Sequence, residues 1–482
     1  MNDISMLIQG RATAALGGGS FERNSPIDDA VVSRAPAGRS ADAVAAVEAA
    51  AAAFAEWSEL GPNPRRALLL KAADIMQSRA PDFARLMTAE TGSTTGWGMF
   101  NAILAAGVLR EAASMTTQIT GEIVPSDKKG TLALAMRVPA GVCVGIAPWN
   151  APVILGVRAV AMALACGNTV ILKASEACPA THRLIGDVLH EAGLPAGVVN
   201  VVTNAPADAA EVVSALISHP KVRRVNFTGS TRVGKIIGQL CGQNLKPALL
   251  ELGGKAPLIV LDDADLDAAV DGAAFSAFMN QGQICMSAER VIVHEAVADA
   301  FIERFRAKAA KITAGHPAEG KHIMGSVVSR AAMQHVEQLL ADAASKGGKV
   351  ICGGTANGAF MDATIVDHVG PHMSIYTEES FGPSVSVVRV KDDEEAIRVA
   401  NDTEYGLSAA VFSMNINRAI AVAKRIESGI CHINGPTVQD EPQMPFGGVK
   451  GSGYGRFGGK AAIAEFTDLR WITIESHQHY PF

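Results

Sequence analysis

The sequence predicts an α/β protein whose strands form parallel sheets with helices between them. Strands that are buried on both faces are almost wholly apolar, and parallel neighbours need a crossover that is usually a helix. Short apolar runs with helical stretches after them recur at Val142–Ile146, Thr169–Leu172, Val198–Val202, Val222–Phe227 and Leu258–Val260. The length of 482 residues gives room for about three domain-sized units.

The remaining elements are predicted in chain order. Ala43–Trp57 is rich in alanine and has few helix breakers, and Arg66–Arg79 and Ala80–Thr91 continue helically. Leu132–Val138 is typical of an extended segment, and a second series of strands and helices runs from about 265 to 430. The segment 466–482 alternates like a strand, which stays exposed unless it pairs, for example with another subunit.

Composition excludes several classes of protein. The formal net charge of −6 argues against a nucleic-acid partner, which would favour a basic face. The longest apolar run, from residue 151 to 172, is broken by Arg158 and Asn168, so no membrane span is predicted. No secretory signal is visible, and the seven cysteines are scattered without a CxxC pair, which predicts reduced thiols and a cytoplasmic location.

Two segments carry candidate catalytic residues. Cys285 follows a polar, glycine-bearing stretch, and a helix that began near it would favour the thiolate through its N-terminal amides. The alternative is a buried core thiol, which is the usual fate of a free cysteine. Glu251 lies among leucines before Gly253 and Gly254, so we expect it to end a buried strand. A raised pKa there would suit a general base, and the alternative is a solvated surface charge.

Three further segments follow strand ends, where α/β folds bind ligands. Asn150 offers a side-chain amide to a developing oxyanion, or else an N-cap to a helix. The turn Thr228–Ser230 opens a helix and would expose amides to an anion such as pyrophosphate. Lys173 and Glu176 suit ribose hydroxyls, and the carboxylate would favour NAD over NADP, with an exposed ion pair as the alternative.

No metal site is predicted, because HExxH, Walker A and paired Cys/His spacings are absent. His477 and His479 form only an isolated pair near the C-terminus. The glycine-rich stretch Gly447–Gly459 follows no evident strand, so it is predicted to be a loop and not a nucleotide-binding fingerprint.

Together these segments resemble the aldehyde dehydrogenase superfamily over essentially the whole chain. Gly282–Cys285 and Leu250–Lys255 are specific in combination, and Glu379–Pro383 and Pro445–Lys450 add to them. The resemblance implies an aldehyde dehydrogenase-like fold of three domains: a Rossmann-like NAD-binding domain (1–118 and 140–251), an αβ catalytic domain (252–446) and a small oligomerisation sheet (119–139 and 447–482). It also implies a homodimer or homotetramer in which the terminal strand pairs across subunits.

By the same resemblance, Cys285 is the nucleophile, Glu251 the general base and Asn150 the oxyanion amide. The cofactor is NAD, with NADP as the alternative. The resemblance implies that the residues holding this cofactor are Trp149, Lys173, Ser175, Glu176, Gly229, Ser230, Glu379 and Phe381.

Within the family, Pro148–Arg158, Cys431–Asp440 and the final four residues resemble vanillin dehydrogenases, with salicylaldehyde dehydrogenases next. An aromatic aldehyde is therefore the expected substrate. Arg158 lies about two helical turns after Asn150, on the same face, where its guanidinium would bind a phenolic oxygen or form a structural ion pair. By resemblance, the rest of the substrate tunnel is assigned to Trp97, Phe100, Met286 and Val438.

The alternatives are a salicylaldehyde or broad benzaldehyde dehydrogenase, a CoA-acylating member of the family, and a non-catalytic protein on the same fold. Glu251 supplies a base for water and so argues against CoA acylation. A protein without catalysis would be free to lose Cys285 or Glu251, and this chain has both.

Overall fold

The apolar runs form the inner strands of two large sheets in the computed structural model, which describes residues 1–476 and 480–482. The predicted histidine pair, His477 and His479, lies outside these residues. The strands are β1 (Asn2–Asp3), β2 (Met6–Ile8), β3 (Arg11–Thr13), β4 (Ser20–Asn24), β5 (Val31–Pro36), β6 (Glu122–Val124), β7 (Leu132–Pro139), β8 (Val142–Ile146), β9 (Thr169–Lys173), β10 (Val199–Val202), β11 (Val222–Thr228), β12 (Ala248–Glu251), β13 (Ala256–Val260), β14 (Ala288–His294), β15 (Lys349–Cys352), β16 (Ala356–Asn357), β17 (Phe360–Met361), β18 (Thr364–Asp367), β19 (Ser384–Val390), β20 (Ser408–Phe412), β21 (Ile430–Ile433), β22 (Gly453–Tyr454) and β23 (Thr467–Ile474).

The predicted N-terminal helices are confirmed with small shifts of their ends. Ala43–Trp57 lies within the first helix, and the next two helices cover most of the residues predicted for them. The α-helices are α1 (Ser40–Glu59), α2 (Pro62–Ser78), α3 (Ala80–Thr91), α4 (Thr95–Met115), α5 (Pro152–Ala165), α6 (Pro179–Glu191), α7 (Ala209–Ser218), α8 (Thr231–Gln243), α9 (Leu266–Phe278), α10 (Glu295–Ala309), α11 (Arg330–Ser345), α12 (Ser374–Thr377), α13 (Asp393–Asn401), α14 (Ile416–Ala423) and α15 (Ala461–Glu465). None of the helices in the described part of the chain combines the length and apolar character needed to cross a bilayer.

The first large sheet has the strand order β22-β12-β11-β8-β9-β10-β2-β3. Its inner strands β12, β11, β8, β9 and β10 pair in parallel, and the outer strands pair antiparallel. Alternate side chains of these strands enter two core clusters, one shared with α2–α6 and the other with α1, α7 and α8. The strands are therefore buried on both faces, as their composition predicts. Their carboxyl ends bring the candidate residues of four segments to one edge.

The second large sheet has the order β15-β18-β19-β14-β13-β20-β21 and is parallel except at β15. It also separates two core clusters, with α9 and α10 on one face and α11, α13 and α14 on the other. The segment that carries Cys285 connects α9 to β14. The thiol thus enters the site from the second sheet, while the residues at the strand ends enter it from the first.

The described residues also form three smaller sheets, β1-β5-β4, β16-β17 and β23-β7-β6, and the last of these, an antiparallel ribbon, is called the third sheet below. The terminal strand β23 pairs with β7 of the same chain along its whole length, from Thr467 opposite Pro139 to Ile474 opposite Leu132. Within the described residues, its other edge has no strand partner. The glycine-rich stretch 447–459 is mostly loop, as predicted, but β22 within it pairs with β12 of the first sheet. The domain boundaries remain a prediction.

Candidate active site

The chain that approaches Cys285 makes a left-handed turn. Asn280, Gln281 and Gly282 have φ values of 49°, 59° and 69°. A Cβ atom at Gly282 would lie 2.1 Å from the carbonyl oxygen of Gly382, so only glycine permits this approach of two backbones. The predicted helix near Cys285 is wrong, because the chain continues from this turn into β14 and not into a right-handed helix.

Buried amide side chains hold the turn. The Gln281 side chain donates to the Ser326 carbonyl at 2.9 Å and accepts from the Gly325 amide at 3.0 Å. The Gln283 side chain accepts from the Val328 amide at 2.9 Å. The predictions missed these glutamines, although the signal was present: three amide side chains, Asn280, Gln281 and Gln283, stand within four residues of each other.

Asn150 is fixed directly beside this turn. Its Nδ2 donates to the Gln283 carbonyl at 2.9 Å, and its own carbonyl accepts from Trp97 Nε1 and Asn280 Nδ2, both at 3.0 Å. Ala151, and not Asn150, is the N-cap residue of α5, so the N-cap alternative does not hold. Asn150 and Cys285 line the same cavity of about 280 Å³.

Glu251 ends β12 and is fully buried, as predicted. Neither carboxylate oxygen has a hydrogen-bond partner among the described residues. Burial raises the pKa of Glu251 to about 8, and the positive charges of Arg158 and Arg456 oppose that rise only in part. A carboxyl with this pKa can give up and take up a proton near neutral pH.

The surroundings of the Cys285 thiol favour its protonated form. Burial raises its pKa well above the ordinary value, and the nearby Glu251 and Glu379 carboxyls raise it further. Arg158 acts in the opposite direction. The predicted lowering of the pKa by a helix N-terminus is therefore wrong, and thiolate formation needs a base within the site.

A groove of about 790 Å³ runs along the carboxyl edge of the first sheet. Of the predicted cofactor residues, Trp149, Lys173, Ser175, Glu176, Gly229 and Ser230 line this groove. Ser230 is the N-cap of α8 and accepts from the Val233 amide at 3.4 Å, as a turn that opens a helix requires.

Lys173 and Glu176 form an ion pair, which was the alternative to their binding of ribose hydroxyls. Asn204 donates to the same carboxylate oxygen of Glu176 at 2.7 Å. The pair lies at the groove, and Lys173 is buried there, so it is not an exposed surface pair.

Glu379 and Phe381, also predicted to hold the cofactor, line the adjoining cavity that contains Cys285 and not the groove itself. Glu379 accepts from the Gly254 amide at 2.8 Å, and burial raises its pKa to about 7. Phe381 meets Trp149 edge to face with 5.7 Å between ring centroids.

A buried ion pair that the predictions missed supports this segment. The Glu289 carboxylate accepts from the amides of Ser380 and Phe381 at 2.9 and 3.0 Å, and from Lys255 Nζ at 2.6 Å. Lys255 also donates to the Glu378 carbonyl at 2.6 Å. The available signal was two adjacent charged residues, Glu289 and Arg290, in the otherwise apolar strand β14, since buried charges are paired.

Arg158 forms the predicted alternative, an ion pair. Its Nη2 donates to Asp440 at 2.5 Å, and its guanidinium lies over the Phe446 ring at 4.5 Å from the centroid. The arginine is 6% exposed. Its other N–H groups have no protein acceptor among the described residues, so they remain open to a ligand. One oxygen of Asp440 is likewise buried without a donor.

The other predicted tunnel residues are buried to different degrees. Trp97 is buried and stacks on Phe100 with 5.4 Å between centroids, while Phe100 is 44% exposed. Met286 is buried, and Val438 packs half-buried against the same core cluster. In the described residues, no three His, Cys, Asp or Glu side chains lie together as a metal-binding group.

Comparisons with known proteins identify relatives of this chain. A model of the aldehyde dehydrogenase family matches residues 14–472. The chain is 57% identical over 482 residues to a vanillin dehydrogenase of Pseudomonas fluorescens, and the match covers 100% of both chains. A crystal structure of a salicylaldehyde dehydrogenase from Pseudomonas putida G7 complexed with salicylaldehyde superposes with a TM-score of 0.98, at 50% identity and over 100% of both chains.

A further solved structure is similar to this chain at lower identity. The crystal structure of PnpE in complex with nicotinamide adenine dinucleotide has a TM-score of 0.95, at 38% identity, covering 99% of this chain and 98% of that one. The match of the family model over almost the whole length and the full-length similarity identify the family. This chain belongs to the aldehyde dehydrogenase family.

Proposed function

We propose that this chain oxidises aromatic aldehydes to carboxylic acids with NAD(P), and that Cys285 is the nucleophile. The observation that carries the proposal is one cavity lined by Cys285, Asn150, Glu379 and Phe381, next to the groove along the first sheet. The two spaces share Trp149 and the segment 228–230 in their walls, so one elongated ligand can reach from the groove to the thiol.

The residues of the groove fit a dinucleotide. Amides at the N-terminus of α8 suit a pyrophosphate, and Lys173, Glu176 and Glu379 suit ribose hydroxyls. When bound, the nicotinamide supplies the hydride acceptor. Glu176 would repel a 2′-phosphate, so we propose NAD as the preferred cofactor.

Cys285, Glu251 and Asn150 have separate roles in the proposed reaction. The Cys285 thiol gives its proton to a base, for which Glu251 has a suitable pKa, and the sulfur attacks the aldehyde carbon. Asn150 Nδ2 and the Cys285 backbone amide stabilise the oxyanion. After hydride loss the substrate is a thioester on Cys285. Glu251 releases the first proton to solvent and then takes one from water; the hydroxide adds to the thioester carbon, and the acid leaves as the Cys285 sulfur takes the proton back from Glu251.

An aromatic substrate is supported by the relatives, which are vanillin and salicylaldehyde dehydrogenases. The open N–H groups of Arg158 and the unpaired oxygen of Asp440 offer a donor and an acceptor to a ring hydroxyl. Trp97, Phe100, Met286 and Val438 complete the proposed tunnel. We also propose a cytoplasmic homodimer or homotetramer, with the three sheets as the cores of the three predicted domains.

A panel of aldehydes tests this function. Vanillin, salicylaldehyde and benzaldehyde, each with NAD and with NADP, should yield reduced cofactor and free acid without CoA, and NAD should give the higher kcat/KM. Cys285→Ala should abolish this turnover while the protein remains folded. The order of kcat/KM values decides between vanillin-type, salicylaldehyde and broad benzaldehyde specificity. No reduced cofactor with any aldehyde would contradict the proposal and favour a non-catalytic protein.

A further inference from the structure

His182 is a buried side chain for which the proposed chemistry has no use. It lies in the first turn of α6 and is fully buried. Its Nε2 is 3.1 Å from the carbonyl oxygen of Pro152, and its Nδ1 is 3.0 Å from the backbone nitrogen of Ser175. Pro152 comes two residues after Asn150, and Ser175 lies between Lys173 and Glu176. One imidazole thus bridges the oxyanion segment and the cofactor segment.

The two partners fix the protonation of the ring. A backbone N–H only donates, so Nδ1 carries the lone pair, and a carbonyl oxygen only accepts, so Nε2 carries the hydrogen. Burial keeps the ring neutral, since it lowers the pKa of His182 to about 4. The nearby charges of Lys173 and Glu176 act on the ring in opposite directions, and the Cys178 thiol, 3.9 Å from Nε2, stays neutral itself.

Close packing leaves the bridge little freedom. A Cβ atom at Gly156 in α5 would lie 2.5 Å from Ile185 Cδ1 and 3.2 Å from His182 Cδ2. The two helices therefore meet at a glycine with the imidazole between them. An imidazole packed between α5 and α6 holds the segments of Pro152 and Ser175 in one relative position, because the two helices cannot move closer together.

We propose that His182 is a positioning residue that keeps the Asn150 amide and the Lys173–Glu176 turn in fixed relation. The inference rests on the proposed function, since it assigns the aldehyde oxygen to one segment and a cofactor ribose to the other. Hydride transfer requires the two reactants in near-contact geometry, and a displacement of about 1 Å can cost about 100-fold in rate.

Three substitutions separate the two halves of the bridge. His182→Asn can keep the acceptor for the Ser175 amide but not the donor to Pro152. His182→Gln can keep the donor but not the acceptor, and His182→Leu loses both. Val188→Ala, in the same helix and equally buried, is the matched control for lost stability without a lost bridge.

The measurements are the rate of the first NADH burst per active site, the Kd for NADH from fluorescence, and the Tm. His182→Leu should slow the burst by about 10- to 100-fold and weaken NADH binding. His182→Asn should mainly slow the burst, His182→Gln should mainly raise the Kd, and Val188→Ala should lower only the Tm. If all four variants lose Tm alone, the inference is overturned. If the parent binds NADH but oxidises no aldehyde, the proposed function fails, whereas the Kd comparison still tests the cofactor half of the bridge.

Discussion

Glu251 shows at the scale of one residue how burial couples chemistry to stability. Its pKa is about 8 in the folded protein, above the ordinary 4.5. Between these values the folded state holds a proton that the unfolded state has released, so the free energy of unfolding falls as pH rises from 4.5 to 8. Glu251→Gln removes this ionisation. Urea denaturation should find the variant more stable than the parent by about 2–4 kcal/mol at pH 8.5, and similar to it at pH 5. The same difference at both pH values would contradict the assignment.

The same variant tests the chemical role of Glu251 separately. Without the base, hydrolysis of the thioester should slow by about 100- to 10,000-fold in steady state. The first NADH burst should slow as well, because the same carboxylate is proposed to take the proton of the Cys285 thiol before the thioester forms. In the parent, kcat should rise with pH and level off near pH 8 if hydrolysis limits turnover. A burst that keeps the parent's rate would show that Glu251 acts only in hydrolysis and that another base takes the thiol proton.

In our proposal, Arg158 and Asp440 determine the preference for hydroxylated aldehydes. A variant that tests this role must not leave one member of the ion pair buried without its partner. Removing Arg158 alone would leave a buried carboxylate without its partner, so the cleaner variant is Arg158→Met with Asp440→Asn. Losing a charged hydrogen bond should lower kcat/KM for vanillin and salicylaldehyde by about 10- to 100-fold more than for benzaldehyde. An equal loss on all three aldehydes would reduce the pair to a structural role.

At the scale of elements, β14 and α13 are joined by a buried arginine. Arg290 in β14 is wholly buried, donates to the carbonyls of Val399, Ala400 and Asp402 at the end of α13, and faces the Tyr376 ring. It thus caps a helix end whose carbonyls lack partners within the helix.

Arg290→Met should take this donor from the three carbonyls, of which only Val399 keeps another among the described residues, the Asp402 amide, and should lower the free energy of unfolding by about 3 kcal/mol. Arg398→Met, on the exposed side of the same helix, should change it by less than about 0.5 kcal/mol. Urea denaturation of both variants measures the contrast. Equal effects would contradict the capping role.

Elements with a strong local signal were predictable, and those set by distant contacts were not. The helix at Ala43–Trp57 and the buried end of β12 at Glu251 follow from local composition. The left-handed turn at 280–282 does not, because its conformation depends on partners such as Ser326 and Gly382 that lie far away in sequence. The predicted helix at Cys285 was wrong for this reason. His182 and Asp440 were missed as well, since an isolated polar residue gives no sign of what it faces.

At the scale of the whole molecule, the third sheet leaves apolar side chains in solvent. Leu469, Trp471 and Ile474 of β23 are 63%, 76% and 59% exposed, and one edge of the strand has no partner in the described part of the chain. Exposed edges and apolar faces of this kind are covered in stable proteins, which supports the proposed oligomer.

Trp471→Asp should therefore shift the molar mass measured by light scattering toward that of the monomer. Leu245→Asp is the control, because this leucine is 92% exposed in a loop outside the third sheet and should leave the mass unchanged. A parent protein that is already monomeric would contradict the proposed oligomer, and an unchanged mass for Trp471→Asp would place the interface elsewhere.

The contact between Gly282 and the Gly382 carbonyl has a mechanical consequence. At this contact the backbone before Cys285 lies directly against the backbone after Glu379. No side chain lies between them that could change its conformation if one of the two segments moved. Any ligand that tightens the Glu379 segment must also stiffen the turn before Cys285. We therefore expect a ligand in the groove to reduce the mobility of the turn that carries Cys285. Slower amide hydrogen exchange at residues 280–285 in the presence of the ligand would show this.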